Sequence, residues 1–325
     1  VSPYDHQTAG GVREHVVNLD AHLRSLGHAV TIIAPASHAE GLAPNVRCIS
    51  RFVVPLRSNG SVARICLSPA VLPRMKAFLD HEGFDVVHLH EPLTPLVALV
   101  GLAVASAPTV GTVHGYRAHY WVYRALNQPL RLLMERLAAR IAVSIDARDA
   151  AARYFPGHYT IIPDGVSTAR FGDPSLKPIE HLTDGSPNVL FVGRLDRRKG
   201  IDILIEAMGR VAAAIPAARL VVVGDYDSRE HAKWRRFASR HRLKNIEFTG
   251  YADPGELPRY YQTADVFCAP SLGSEALGIV LLEALASGTP IVTTDIAGYR
   301  TVVRHEREAI LVPPADAAAL AGAIT

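Results

Sequence analysis

The run SEALGIVLLEALASG, residues 274–288, is apolar except for two carboxylates eight positions apart, Glu275 and Glu283. A carboxylate among leucines is costly to desolvate unless a partner pairs with it. Helix positions eight apart differ by about 80° in azimuth. Glu275 is therefore expected at the mouth of a helix and Glu283 deeper, on a neighbouring face. From the mouth, a carboxylate can address a sugar held over the helix's first amides. Further in, a carboxylate can accept hydrogen bonds from vicinal hydroxyls such as a ribose presents. An ordinary buried salt bridge is the other reading of Glu283.

Three further stretches combine reactive residue types with glycine. In FVGRLDRRKG a strand is expected to end at Gly193, with Arg194 and Lys199 flanking a loop before a helix near Gly200. Two cations beside a helix N-terminus suit a diphosphate, although a solvated basic loop has the same composition. In TAGGVREHVVNLDAHLRSLGH the pair Gly10 and Gly11 precedes an amphipathic helix ending at Gly27. Such a pair lets a ligand approach the backbone and the first N–H groups, and it also occurs for packing alone. TVHGY places His114 at a strand end, where a histidine is either a structural residue or a reactive one.

These residues need elements to position them. Short β-branched runs alternate with helical patterns throughout: 29–35, 46–49, 85–90, 108–114, 139–144 and 159–163, then 188–193, 219–224, 246–250, 266–271, 290–294 and 309–314. Near-continuous apolar strands separated by helices indicate parallel sheets covered on both faces. The expectation is α/β: two doubly wound, Rossmann-like domains, residues 1–166 and 167–325, with the polar segment 167–188 connecting them. Ligands of such sheets lie beyond the carboxyl ends of the strands, and a two-domain protein places its site in the cleft between them.

The 325 residues are 49% hydrophobic and 20% charged, ordinary for a globular protein. A net charge of +3 is too small to indicate nucleic acid as a partner. Cys48, Cys66 and Cys268 have neither metal nor disulfide spacing, so no metal is expected and a reducing, cytoplasmic setting is. The apolar stretch 95–108 is too short to cross a bilayer and reads as a buried helix. No signal peptide is recognised. The chain reads as opening inside a strand at Val1 and stopping early in a helix at Thr325.

Taken in order, GGV, HG after a strand, GR…KG and the E-x7-E element resemble the family 4 retaining glycosyltransferases, along nearly the whole chain. The resemblance implies the GT-B fold, with two Rossmann-like domains facing a central cleft: 1–166 for the acceptor and 167–325 for a nucleotide-sugar donor. It implies that Arg194 and Lys199 hold the donor's diphosphate, with Arg198 in the same loop. Glu283 would bind the nucleotide's ribose, and Glu275 the transferred sugar. Leu277, Gly278, Ile279 and Val280 would face that sugar at the helix start, with His114 near it from the other domain. Gly10 and Gly11 would complete the donor site. No tightly bound cofactor is implied, and dependence on a divalent cation stays open. Family members usually continue for several tens of residues beyond a point like Thr325.

SPYDHQTAGGVREHV, NGSVAR, FDVVHLHEP and RIAVS resemble more closely the phosphatidyl-myo-inositol mannosyltransferases within that family. That likeness implies an inositol phosphate held by Tyr4 and Arg64, with Asn59 and Ser61 in the same loop. It favours GDP-mannose as donor and an inositol phospholipid or other glycolipid as acceptor, at the inner face of the cell membrane. Contact with lipid would come from the helix carrying Arg74 and Lys76; apart from the resemblance, 124–141 reads either as a basic amphipathic helix that meets lipid or as a surface helix packed on the sheet. Competing readings are a UDP-sugar transferase with another acceptor, a GT-B nucleotide-sugar epimerase and a non-catalytic sensor. No G-x-G-x-x-G follows the first strand of either half, which disfavours a dinucleotide dehydrogenase.

Overall fold

The computed structural model describes residues 1–325 except 9, 59, 60, 116–120 and 274, and only the backbone of residues 57, 58, 61 and 121. The chain divides into two compact units, Val1–Asp164 and Gly165–Thr325.

In the first unit, α1 (Gly11–Ser25) leads to β1 (Ile32–Ala34) and β2 (Val46–Cys48), which pair in parallel. β3 (Val53–Ser58) and β4 (Ser61–Cys66) form an antiparallel hairpin, Ser58 opposite Ser61. After α2 (Val71–Glu82) come β5 (Val87–His90), α3 (Val97–Val104) and β6 (Thr109–Val113). The unit continues with α4 (Trp121–Ala125), α5 (Asn127–Met134), β7 (Ala139–Ala142), α6 (Ile145–Ala152) and β8 (Thr160–Ile161). Strands β5 to β8 are parallel and adjacent in that order.

Residues 1–3 join the two parallel pieces. The Ser2 N–H donates to Ile33 O at 2.9 Å, and Val1 O accepts from the His90 N–H at 3.0 Å. The backbone order is therefore β2, β1, residues 1–3, β5, β6, β7, β8, the reversal about a first strand that defines a doubly wound sheet.

The second unit holds α7 (Thr168–Phe171), β9 (Asn188–Val192), α8 (Ile201–Ala214), β10 (Arg219–Val223), α9 (Ser228–Arg240) and β11 (Ile246–Gly250). It continues through α10 (Leu257–Thr263), β12 (Val266–Ala269), α11 (Ile279–Ser287), β13 (Ile291–Thr294), α12 (Ala297–Arg300), β14 (Ile310–Val312) and α13 (Ala317–Ile324). Its strands are parallel in the order β11-β10-β9-β12-β13-β14, the 3-2-1-4-5-6 arrangement of a dinucleotide-type sheet. One face buries Leu204, Met208, Val222, Trp234 and Leu320, and the other Leu190, Phe267, Tyr261, Leu281 and Tyr299. Apolar side chains on both faces are what the unbroken β-branched runs require.

The sequence expectations need four corrections. Two strands, β3 and β4, add to the six read in the first half. The segment 167–188 is more than a connection, since Phe171, Ile179 and Leu182 are buried in the second unit's core. The stretch 124–141 is no single amphipathic helix: α4 ends at Ala125, α5 spans Asn127–Met134, and β7 takes Ala139–Ala142. Two of its arginines are spent on backbone carbonyls, Arg136 on Leu102 O and Ala105 O, and Arg140 on Pro156 O and Met134 O. Finally, Gly11 is the first residue of α1 and does not precede it. The apolar stretch 95–108 does contain a helix, α3, with Val97, Ala98, Gly101 and Leu102 buried. Among the described residues no helix is long and apolar enough to cross a membrane.

Candidate active site

In the second unit, β9 and β12 are neighbours from which the chain winds in opposite directions, the point where such sheets bind ligands. The loop leaving β9 carries Arg194 and closes with a 3-10 turn, Arg197–Lys199, capped by Asp196, whose Oδ1 accepts the Lys199 N–H at 3.1 Å. Gly200 follows with φ 71°, and a Cβ there would lie 1.9 Å from Pro270 O, just past β12. A Cβ on Gly298 would lie 2.0 Å from Glu275 O. Two missing side chains thus let the β9, β12 and β13 loops meet at backbone distance.

That contact brings Glu275 to the basic loop. Its Oε1 accepts from Arg198 Nη1 at 2.5 Å and from Lys199 Nζ at 2.8 Å. Ser271 Oγ lies 3.5 Å from the same oxygen and 2.8 Å from the Tyr299 hydroxyl. Burial alone would raise the Glu275 pKa, but the charges of Lys199 and Arg198 outweigh it and hold the carboxyl below its ordinary value. Arg194 and Arg198 each approach Asp196 Oδ2 to 3.9 Å, too far for a hydrogen bond, and that oxygen is buried with none.

Glu275 lies in the loop and not on the helix. Gly278, at φ 87°, ends the loop, and α11 begins at Ile279, so the azimuth relation between the two glutamates does not apply. A Cβ on Gly278 would fall 2.5 Å from the Tyr299 ring. Leu277 is buried beneath this start, and the amides of Gly278, Ile279 and Val280 lie at the helix end that has no intrahelical acceptor for them. Glu283 lies within α11 and is buried, as expected, and a phenol is among its partners. It accepts from the Tyr261 hydroxyl at 2.8 Å. Burial, and then the Glu283 charge, push the Tyr261 pKa well up, so the phenol stays protonated and donates.

In the first unit His114 follows β6, and its N–H donates to Glu91 Oε1 at 2.8 Å. His114 Nε2 and His90 Nδ1 share a hydrogen bond at 3.0 Å. Asp164 Oδ1 lies 2.7 Å from His15 Nδ1 and 3.5 Å from His114 Nδ1. Burial would raise the Asp164 pKa, but its contacts with His114 and His15 prevail and hold it well below the carboxylate range. Burial, reinforced by the neighbouring histidines, pushes His90 well down, so it is neutral. Each of His15, His90 and His114 offers a nitrogen within 4.8 Å of the others, a spacing that metal ligands share. The shared proton already accounts for the His90–His114 contact.

Tyr4 bridges Ile65 across the sheet, and the Asp5 N–H donates to Arg64 O at 2.9 Å, so Tyr4 and Arg64 lie on adjacent backbones. Ser61 and Arg64 belong to β4 and not to a loop. Asn59 lies outside the described residues, and of Ser61 only the backbone is described. Gly10 is exposed at φ 175°, with nothing within 4 Å of an added Cβ. Sequence reasoning missed His15, His90, Asp164, Asp196, Tyr261 and Tyr299. Only Asp196, inside the FVGRLDRRKG motif, had a local signal.

The profile of the group 1 glycosyl transferases matches residues 186–325, and that of Glycosyltransferase Family 4 matches residues 9–170. The phosphatidyl-myo-inositol mannosyltransferase of Mycobacterium leprae (strain TN) is 36% identical over 100% of this chain and 85% of its own. That of Propionibacterium freudenreichii is 33% identical over 94% of this chain and 79% of its own. Among solved structures, a sucrose-phosphate synthase from Thermosynechococcus elongatus superposes with TM-score 0.73 at 25% identity, covering 99% of this chain and 85% of that one. HepE of Anabaena, solved with UDP-glucose, gives 0.74 at 18% identity over 99% of this chain and 87% of that one.

Proposed function

The chain belongs to the family 4 glycosyltransferases, hexosyltransferases of the GT-B fold, and on that premise we propose that it transfers mannose from GDP-mannose to an inositol phospholipid with retention of configuration. The observation that carries this reading is the 36% identity to a phosphatidyl-myo-inositol mannosyltransferase along the whole chain. The basic loop and the start of α11 supply groups suited to a nucleotide sugar.

On this reading residues 1–166 bind the acceptor and 167–325 the donor. Arg194, Arg198 and Lys199 hold the diphosphate. Glu275 and the amides of Leu277, Gly278, Ile279 and Val280 address the hexose, and Glu283 the ribose. Gly10 has neither a strained φ nor a crowded Cβ to explain its glycine, which fits a ligand approaching it and Gly11. Tyr4 and Arg64, with Asn59 and Ser61, take the inositol phosphate, and His114 lies by the hexose. The lipid acceptor places the protein peripherally at the inner face of the cell membrane.

In the reaction the bond from the sugar's anomeric carbon to the diphosphate oxygen breaks, and a bond to the acceptor oxygen forms on the same face. The acceptor's proton passes to the leaving phosphate, so no protein nucleophile is needed. Cations around that phosphate stabilise its growing charge, at about 1.5–3 kcal/mol per charge-assisted contact. The test is incubation with phosphatidylinositol and either GDP-mannose or UDP-glucose, with lipid products read by mass. A hexose added from GDP-mannose alone supports the proposal. Addition from UDP-glucose alone would leave a transferase of another donor.

A further inference from the structure

Glu275 already occupies the cations to which the donor reading gives the diphosphate. Arg198 and Lys199 converge on one of its oxygens, and the three side chains are only 18%, 17% and 12% exposed. Arg194, Arg197, Arg198 and Lys199 bring four positive charges to this loop, and Asp196, Asp202 and Glu275 three negative ones. One positive charge is left for a diphosphate that carries at least two negative charges. Arg198 and Lys199 have further N–H donors, but a diphosphate placed on them competes with Glu275 for the same two cations.

We infer that Glu275 is the resident counter-ion of the diphosphate clamp, displaced when a nucleotide sugar binds and restored when the nucleoside diphosphate leaves. A desolvated carboxylate deprived of both cations is costly unless other donors reach it. A nucleotide sugar brings hydroxyls that donate to it. A nucleoside diphosphate takes the cations and returns nothing. Glu275 therefore selects donor over product and drives product release, beyond its contact with the sugar. Two fixed points keep the carboxylate poised: its backbone is pressed against Gly298, and Ser271, tied to Tyr299, stands beside Oε1.

The inference rests on the donor-site reading, and calorimetric titration of GDP, UDP and inorganic pyrophosphate separates the two. Glu275→Gln keeps the shape and removes the charge. It is expected to bind the nucleoside diphosphate the wild type prefers, and pyrophosphate, about tenfold more tightly while sugar transfer is lost. Glu275→Asp withdraws the carboxylate while keeping its charge, and is expected to give a smaller gain of about threefold. A loss of fold lowers affinity and cannot mimic a gain. If both variants bind these ligands no more tightly than the wild type, the counter-ion role is overturned and the donor site stands. A wild type that binds none of the three ligands overturns the donor site and this inference with it.

Discussion

Glu283 and Tyr261 hold each other in the second unit's core, so removing the glutamate has two separable effects. Glu283→Ala strands a buried hydroxyl and is expected to cost about 1–3 kcal/mol of stability. Glu283→Gln keeps an acceptor and should cost less than about 1 kcal/mol. Both should lose about tenfold in nucleotide affinity if the carboxylate pairs with a ribose. Denaturant unfolding and nucleotide titration of the two variants check this, and full affinity in Glu283→Gln would remove the ribose role. In the other unit, His90 is neutral when folded because burial pushes its pKa well down, whereas the unfolded chain takes a proton near pH 6.5. With the folded pKa the lower of the two, this contribution is complete above about pH 6.5 and falls away on acidification. The expected loss is about 1.4 kcal/mol per pH unit. Unfolding curves at pH 7.5 and 5.0 should show it, and a flat response would mean that the histidine network is hydrated and charged. His114 could be picked out from TVHGY, but His15, His90 and Asp164 come from distant segments that only the sheet assembles. Asp196 lies inside the FVGRLDRRKG motif, but nothing in that motif shows that one of its carboxylate oxygens is buried without a hydrogen bond.

Element boundaries explain where sequence reasoning worked. Unbroken β-branched runs mark strands of covered parallel sheets, and all twelve segments read that way contain strands. The β3–β4 hairpin escaped because Pro55 and two arginines, Arg57 and Arg64, make its strands look like a basic loop. Asn59-Gly60 between alternating residues was the available signal. In 124–141 an amphipathic pattern masked a break, and Pro129, tolerated only in a helix's first turn, marks where α5 starts. Glycine is decisive at the start of α11. Gly278→Ala combines a positive φ with a Cβ 2.5 Å from the Tyr299 ring. The substitution is expected to cost about 1–3 kcal/mol and to weaken nucleotide binding, because the helix start must move. Thermal unfolding with and without nucleotide measures both. Unchanged values would show that the turn re-forms around alanine.

The whole chain carries one tryptophan in each unit, Trp121 in the first and Trp234 in the second. Single-tryptophan variants can therefore follow each unit's unfolding separately. A nucleoside diphosphate at a hundred times its dissociation constant is expected to stabilise the Trp234-reported transition by about 2.7 kcal/mol. Transitions reported by Trp121 should move less, and an equal shift in both would place the nucleotide's hold on both units. The sheets have a consequence of another kind, in time. Residue 1 is bonded to His90, and β9 lies against β12, so neither sheet closes through neighbours in sequence. Each must wait for a long stretch of chain to be brought back on itself. Such closure adds little to the equilibrium cost but slows folding markedly. A substitution that loosens β5 or β12 should thus lengthen the interval in which half-built sheets expose bare strand edges.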